Sequence, residues 1–593
     1  MASEVGVSEP GHLAHRRSTE GFYLTGPVPT SLRPPIRGSR AVVSAGHYLA
    51  ALAGDRIFAR GGNAVDAGVA AAMAINVVQP DLTNFGGVAP IAVYEASTGQ
   101  TWQISGLGCF PRRATLEFFM EHCDGDLPAG VLASVVPAAL DAYITALDRF
   151  GTMTFGDVIA PALELAEHGF PVYPALRANL ATSQPKMAQF PTTRAIFFPN
   201  GDPPEVGDLL VQRDLAGLFH ALIAAETGAG GDRRAGLMAA RDLFYRGEIA
   251  ERIARFVWEQ GGLLELGDLA AFHVDVEPTV TIRFRGLDVH TCGPWCQGPV
   301  LAQMLAILET MDLGSAGTAA TLHTIAEAMK LAFADREAYY GDPKFVEVPL
   351  GELLSPDYAR RQAERIDARR ALLEIPPGGL GRRWQARPTP AVRGGAPSDL
   401  DTSYACAVDA AGNGFSCTPS DGAGNTPIVS GLGIIVSSRG IQGWLDPHHP
   451  GCVAPGRRPR LTPSPALATR NGRLVMAFGT PGGDVQPQAM LQAFLNAVVF
   501  GMDPQQAIEF PRIATYSFPS SFFPHRSHPG SLFAEERVSE PVLSDLRDRG
   551  HRLEVWPGYH PQAGAVCMIA RDEKQGTLTG GADPRRNAYA IGW

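Results

Sequence analysis

Two periods run through the apolar positions of this chain. Residues 64–76, AVDAGVAAAMAIN, are apolar or small all around a helical turn, the pattern of a helix enclosed by neighbours. Asn63 stands where an N-cap belongs, and Asp66 three residues on lies at the positive end of the helix dipole. VAPIAVYEA (88–96) is a continuous apolar run that predicts a strand buried in a sheet. VTIRFRGLDVHT (280–291) alternates and predicts a strand or hairpin. TNFGG (83–87) reads as a turn. Residues 132–180 and 208–271 carry helical patterns, the first punctuated by Pro137, Pro161 and Pro171. Two further helices are predicted over 298–311 and 319–340. The second carries Glu327, Lys330, Asp335, Arg336 and Glu337 at three- and four-residue spacings, which suits a half-exposed helix. Strands are expected at 433–437 and 474–479. A helix follows from Pro487 with Met490, Leu491, Phe494, Leu495 and Val498 as its apolar face. Another helix at 540–549 precedes two last strands.

The pattern breaks in two places. Residues 1–40 are polar and Pro-rich and read as a disordered arm. Residues 367–400 lose all periodicity under Pro, Gly and Arg and read as a mobile linker. That linker runs into 401–433, DTSYACAVDAAGNGFSCTPSDGAGNTPIVSGLG, a strand, a tight turn at 409–413 and a second strand. Gly412 supplies the turn's positive φ. Thr402 at this junction is either an ordinary β-branched strand start or a nucleophile that becomes a new N-terminus after self-cleavage.

The composition is that of a globular protein. Of 593 residues, 45% are hydrophobic and 19% charged. A net charge of −10, spread along the chain, argues against nucleic-acid and anionic-membrane partners. No apolar run approaches the roughly 20 residues that span a bilayer. The first residues lack a secretory apolar core, so a cytoplasmic location is expected. The eight scattered cysteines fit reduced thiols. Cys292 and Cys296 are separated by three intervening residues rather than the two of a redox motif, so 292–296 reads as a Gly/Pro turn between strand and helix. His448, His449, His525 and His528 lie in Pro-rich loops without a ligand set, and neither a metal nor another cofactor is expected.

Candidate chemistry falls at two junctions. A strand that ends in Thr480-Pro-Gly482-Gly483 before a helix leaves backbone N–H groups pointing outward, a place for an anion or a developing oxyanion. Such turns are also often only turns. Thr402, once an N-terminus, has its own α-amine as a base, with a pKa of about 7.7–8.0. A hydroxyl on the paired strand would orient its Oγ, and Thr418 and Ser420 are both within reach.

Six stretches carry a resemblance when taken in order: GGNAVDAGVAAAMAINVVQP, FGTMTFGDVIAPALELAEHGFPV, EAMKLAFADREAYYGDPKFV, TSYACAVDAAGN, TPGGD and GGADPRR. With them the chain, from residue 41 to its end, resembles the γ-glutamyltransferase family of N-terminal-nucleophile hydrolases. The resemblance implies an α+β fold, a four-layer αββα sandwich built jointly by a large piece, 41–401, and a small piece, 402–593. It implies cleavage between Asp401 and Thr402, two pieces that stay together, and an acyl-Thr402 intermediate formed from a small-molecule amide. Ser420 matches the supporting hydroxyl, where the family more often has Thr. Gly482 and Gly483 match the oxyanion glycines.

The γ-glutamyl clamp is where the match fails. The family's carboxylate-binding Arg aligns with Leu107, its paired serines with Leu461 and Thr462, and its amine-binding acid with the neighbourhood of Ile441 and Gln442. A Leu cannot pair with a carboxylate. Arg112, Arg113, Asn425, Thr462 and Asp484 remain as candidate substrate contacts. Asp484 replaces the usual Ser and either meets a cationic or donor group of a substrate or caps the helix at Pro487. The pattern is similar to that of divergent members such as acylases and oxamate amidohydrolase. It predicts a hydrolase acting on a non-standard acyl amide. The alternatives are a γ-glutamyl hydrolase or transpeptidase with a rebuilt clamp and an unprocessed pseudoenzyme that binds.

Overall fold

The computed structural model describes residues 31–374, 376–381 and 401–593, and two seven-stranded antiparallel sheets form its centre. The first sheet runs Ile36–Gly38, Leu578–Ala582, Cys567–Arg571, Arg473–Gly479, Ala466–Arg470, Leu287–Thr291, Val280–Phe284. The second runs Tyr589–Gly592, Val42–Ala45, Ala405–Val408, Gly414–Cys417, Ile91–Glu95, Gln100–Ile104, Val276–Pro278. Their facing surfaces share one apolar cluster that includes Tyr404, Cys406, Val408, Leu474, Ala477, Cys567 and Ile569. Helices Tyr48–Ala59 and Ala64–Val78 cover the second sheet; Gly298–Glu309, Ala319–Tyr339 and Gln486–Val498 cover the first. The result is the four-layer αββα sandwich.

Strand Ala405–Val408 shows why the layers sit as they do. With period two, Cys406 and Val408 face the other sheet while Ala405 and Ala407 face the outer helices. Those two small side chains let the Ala-rich helix Ala64–Val78 come close, and Phe415 on the next strand fills the space over Gly68. The helix is buried along its whole length. Asn63 Oδ1 accepts from the N–H groups of Val65 and Asp66, and Asp66 accepts from Asn63 N at 3.0 Å, a reciprocal cap. The hairpin turn is tied to the same helix: Asp409 Oδ2 accepts from Ala64 N at 3.0 Å, and Gly412 takes a φ of 89°.

Five expectations need correction. Residues 83–87 are not a turn but part of strand Thr83–Val88, which pairs with Ser420–Asp421. The helix Ala319–Tyr339 is not half-exposed, for all five of its charged residues are buried. Residues 433–437 form only an isolated bridge, Ile428 with Ile435. The arm is structured before residue 40, because Ile36–Gly38 forms an edge strand on Leu578–Ala582; residues 1–30 lie outside the described residues. The linker is anchored at its start, where Leu372 N donates to Glu327 Oε2 at 2.8 Å and Gly379 N to Asp335 Oδ1 at 2.9 Å. Residues 382–400 lie outside the description. The 292–296 turn does join a strand to a helix, and all eight cysteines are free.

Candidate active site

Thr402 lies three residues before the strand Ala405–Val408 and is fully buried. It bridges to Ser420 on the short strand Ser420–Asp421. That strand is fixed by Thr83–Val88, whose two glycines are needed for space. A Cβ at Gly86 would collide with the Ile435 carbonyl, and one at Gly87 with that of Ser420. Asp421 itself has a φ of 87°, in the left-handed region that non-glycine residues rarely adopt. Its carboxylate holds the next segment, accepting from Ser437 Oγ (2.6 Å), Ser438 N (2.9 Å) and Ser438 Oγ (2.6 Å). Arg439 is delivered to the site by that segment.

Around the Asp401–Thr402 bond the polar atoms form one connected set. Thr402 Oγ1 lies 2.8 Å from Ser420 Oγ. Ser420 Oγ donates to the Asp401 carbonyl at 2.7 Å. Asp421 N and Arg439 Nη2 donate to that same carbonyl, each at 3.2 Å. Arg439 Nη2 also donates to Ser420 Oγ at 2.7 Å and pairs with Asp401 Oδ2 at 2.7 Å. With the Ser420 proton committed to the carbonyl, the Thr402 hydroxyl is left to donate to Ser420 Oγ, with Asp401 Oδ1 a longer alternative acceptor at 3.4 Å. Thr418, the other hydroxyl in reach by sequence, has no hydrogen-bond partner among the described residues.

On the backbone side, Ser403 Oγ donates to Gln79 Oε1 at 2.6 Å, and Arg586 Nη1 approaches the Thr402 carbonyl at 3.4 Å. Burial pulls Arg586 down to about 10, against the nearby carboxylates of Asp583, Asp81 and Asp401.

The Gly482–Gly483 junction lies at the end of the facing strand Arg473–Gly479, whose Gly479 packs directly under the Tyr404 ring. Both glycines have positive φ, 125° and 55°. The Phe522 ring borders Gly483 and also lies under the Arg439 guanidinium, 5.6 Å away. Gln297 Nε2 ties the Gly483 carbonyl (2.8 Å) to that of Thr462 (2.9 Å).

The positions expected to align with the γ-glutamyl clamp lie in two places, and among the described residues the buried Gln442 Oε1 has no hydrogen-bond partner. Leu107 and Leu461 belong to one apolar cluster with Val88, Cys292, Trp295 and Cys296. Gln442 Nε2 donates to Thr462 Oγ1 at 3.0 Å.

Other candidates are placed elsewhere. The Arg112 side chain is 64% exposed and paired with Asp268 at 3.0 Å; that of Arg113 is 45% exposed, with Glu265 at 3.6 Å. Arg112 lines a cleft of about 280 Å³ beside Leu107, where Lys344 and Arg458 are likewise paired with acids. Asn425 is half-buried, and its carbonyl accepts from Gly130 N. Asp484 neither caps the following helix nor offers a free carboxylate, since Arg336 and Ser521 take up both oxygens. Arg336 in turn pairs with Glu337. Burial opposes the charge on Glu337, but Arg336, Arg460 and His449 outweigh it and hold the carboxyl below the usual range.

One cluster escaped the sequence reading: His323, Glu327 and His551 bring three potential metal ligands together. Glu327 is already neutralised by Lys330 at 2.7 Å, and the two histidines meet at 2.9 Å. Among the described residues no helix is long and apolar enough to cross a membrane.

A sandwich of this kind, with Thr402 leading into a central strand and a glycine pair on the facing one, is the architecture of the N-terminal-nucleophile hydrolases. The chain belongs to the γ-glutamyltranspeptidase family, whose model matches residues 50–593. The acylase ACY 1 proenzyme of Pseudomonas sp. (strain SE83) is 33% identical over 582 residues, covering 94% of this chain and 95% of its own. The glutathione hydrolase proenzyme of Bacillus subtilis (strain 168) is 30% identical over 568 residues, 94% of this chain and 92% of its own. The crystal structure of a cephalosporin acylase from Bacillus halodurans superposes with a TM-score of 0.82 at 27% identity, covering 97% of this chain and 99% of its own. Identity thus does not separate acylases from glutathione hydrolases here.

Proposed function

We propose that the chain is a self-processing amidohydrolase with Thr402 as its nucleophile. The observation that carries this reading is the Asp401 carbonyl, held by three donors beside a hydroxyl already oriented by Ser420. In the uncut chain Thr402 Oγ adds to the Asp401 carbonyl carbon. The oxyanion develops where Ser420 Oγ, Asp421 N and Arg439 Nη2 point, which is the arrangement that lowers such a barrier most. The C–N bond breaks, the proton passes to the Thr402 nitrogen, and an ester is left. Water hydrolyses that ester and frees the Thr402 amine.

That amine then serves as the base for the second reaction. It takes the Oγ proton as Oγ attacks a substrate amide and returns it to the leaving amine. The Gly482–Gly483 N–H groups face the new oxyanion, and water releases the acyl group. Loss of the ionic clamp, with Leu107 packed near Leu461 and Gln442 bonded to Thr462, favours an acyl donor other than a γ-glutamyl group.

Intact mass under denaturing conditions tests the first step. Wild type is expected as two fragments, the smaller beginning at Thr402. Thr402→Ala is expected as one uncut, inactive chain, and Thr402→Ser as a slower but cut and active one. Turnover by uncut Thr402→Ala would place the chemistry elsewhere.

A further inference from the structure

The glycine pair at 482–483 must present its N–H groups at one angle, and glycine itself enforces none. Both residues have positive φ, 125° and 55°, and a peptide unit beside a glycine turns over at little steric cost. What fixes such a turn is where its carbonyls go, because a trans peptide points N–H and C=O in opposite directions. Three peptide units are involved. The Pro481 carbonyl accepts from Thr480 Oγ1 at 2.9 Å, which orients Gly482 N–H. The Gly482 carbonyl accepts from Val485 N at 2.9 Å, which turns Gly483 N–H away from the helix that follows. The Gly483 carbonyl accepts from Gln486 N within the turn and from Gln297 Nε2 at 2.8 Å.

Gln297 comes from another part of the fold. It stands just before helix Gly298–Glu309 and is fully buried. Its backbone is fastened to the segment that carries Thr462, with Gln297 N donating to the Leu461 carbonyl at 3.0 Å. Its amide nitrogen has two hydrogens. One goes to the Gly483 carbonyl and the other to the Thr462 carbonyl, at 2.9 Å. Oε1 accepts from Arg336 Nη1 at 3.1 Å. A guanidinium offers donors and no acceptor, so Arg336 decides which end of the amide is oxygen and leaves the NH2 for the two carbonyls. Arg336 also binds the carboxylate of Asp484, the residue after the glycine pair. The donors on the Asp401 carbonyl are a separate set: Ser420 Oγ, Asp421 N and Arg439 Nη2.

We propose that Gln297 is a positioning residue for hydrolysis and not for self-cleavage, holding the Gly482–Gly483 N–H groups where they receive the substrate oxyanion. This rests on the reading of Thr402 as nucleophile and of the glycine pair as its oxyanion donors. A donor stabilises a developing charge most when it is aimed before the reaction. Without Gln297 the Gly483–Asp484 unit keeps, among the described residues, the local bond from Gln486 N. The glycine on one side then lets the unit rotate, and the aim of the pair is lost. Self-cleavage develops its charge at the other set of donors, so one variant separates the two reactions.

That variant is Gln297→Met, which keeps the length of the side chain and removes its amide. The probe is p-nitrophenyl acetate, an activated ester whose small acyl group asks little of the acyl pocket, with turnover by uncut Thr402→Ala subtracted. In the self-cut variant kcat is expected to fall by about tenfold to a hundredfold, part of the roughly 10²–10³-fold that removal of a whole oxyanion donor costs. KM, and the rate of self-cleavage followed by intact mass, are expected to stay as in wild type. A variant that remains uncut, or whose self-cleavage slows in proportion to its kcat, makes Gln297 a general support of the fold and overturns the proposal. A cut variant with the kcat of wild type also overturns it, and leaves the reading of Thr402 standing. A wild type that remains uncut, or whose turnover does not exceed that of Thr402→Ala, overturns the reading of Thr402 and this inference together.

Discussion

At the scale of single residues, Ser420 does three things with one hydroxyl. It accepts from Thr402, accepts from Arg439 and donates to the Asp401 carbonyl. The guanidinium beside it makes its O–H a stronger donor, as expected of a charge-assisted contact. Nothing in this geometry uses a methyl group, which explains why Ser can stand where the family more often has Thr. Ser420→Ala removes one of three donors to the Asp401 carbonyl, where the proposed self-cleavage would develop its oxyanion. It is expected to slow self-cleavage by about 10²–10³-fold, read as the uncut fraction against time by intact mass. Ser420→Thr is expected to cut at near wild-type rate. An Ala variant that cuts as fast as wild type would assign the polarisation to Arg439 and Asp421 N alone.

At the scale of elements, the helix Ala319–Tyr339 is held by charges that the sequence makes look like a solvated face. Lys330 reaches Glu327 and the Leu372 carbonyl. Asp335 accepts from Gln303, Tyr358, Gln362 and Gly379 N. Arg336 binds Asp484 and Glu337 while stacking over Phe333 and Phe518. Spacing along one helix cannot reveal that its partners come from six other segments, so the half-exposed reading was the natural one and failed. Asp484 belongs to this network rather than to a substrate. Asp484→Ala leaves Arg336 with one buried anion fewer and is expected to destabilise by about 3–5 kcal/mol, measured as a lower midpoint of thermal unfolding. An unchanged midpoint with a changed KM would return Asp484 to the substrate.

Elements whose signal is local were legible in the sequence: the Asn63 cap, the Asp409–Asn413 turn and the apolar face after Pro487, and the family motifs led to Thr402 and Ser420, whose hydroxyls meet at 2.8 Å. Those whose signal is tertiary were not. Gly86-Gly87 marks a close approach of two backbones, and without those backbones it reads as a turn. Arg439 is a lone cation in a Ser/Gly segment, brought in by Asp421 from a bulged two-residue strand, and no local rule points to it.

At the scale of the whole molecule, a cut at the Asp401–Thr402 bond would divide the chain but not the core. In the second sheet Val42–Ala45 lies between Tyr589–Gly592 and Ala405–Val408, while Gly414–Cys417 pairs with Ile91–Glu95. In the first, Leu287–Thr291 pairs with Ala466–Arg470. Neither piece holds a complete sheet, so stability belongs to both together and depends on groups buried in both. Six of these are histidines. Burial holds His47, His290 and His525 down to about 4 and His449 and His551 down to about 3, and it lowers His323 as well, against about 6.5 in an unfolded chain. Below pH 6.5 the unfolded state therefore binds protons that the folded state refuses, and stability falls as pH falls towards 4. Asp81, pushed up to about 6 by burial, works in the opposite sense over part of that window, as does Asp335. Six groups that start to act at 6.5 outweigh these two. Arginine-paired carboxylates such as Glu535 and Asp583 are held low, so their contribution stays in place until the pH is below about 4. Thermal midpoints measured at pH 7.5, 6.5, 5.5 and 4.5 are expected to be level over the first step and to drop progressively after it. A midpoint that stays constant or rises from pH 6.5 to 4.5 would mean that the buried histidines are protonated in the folded protein.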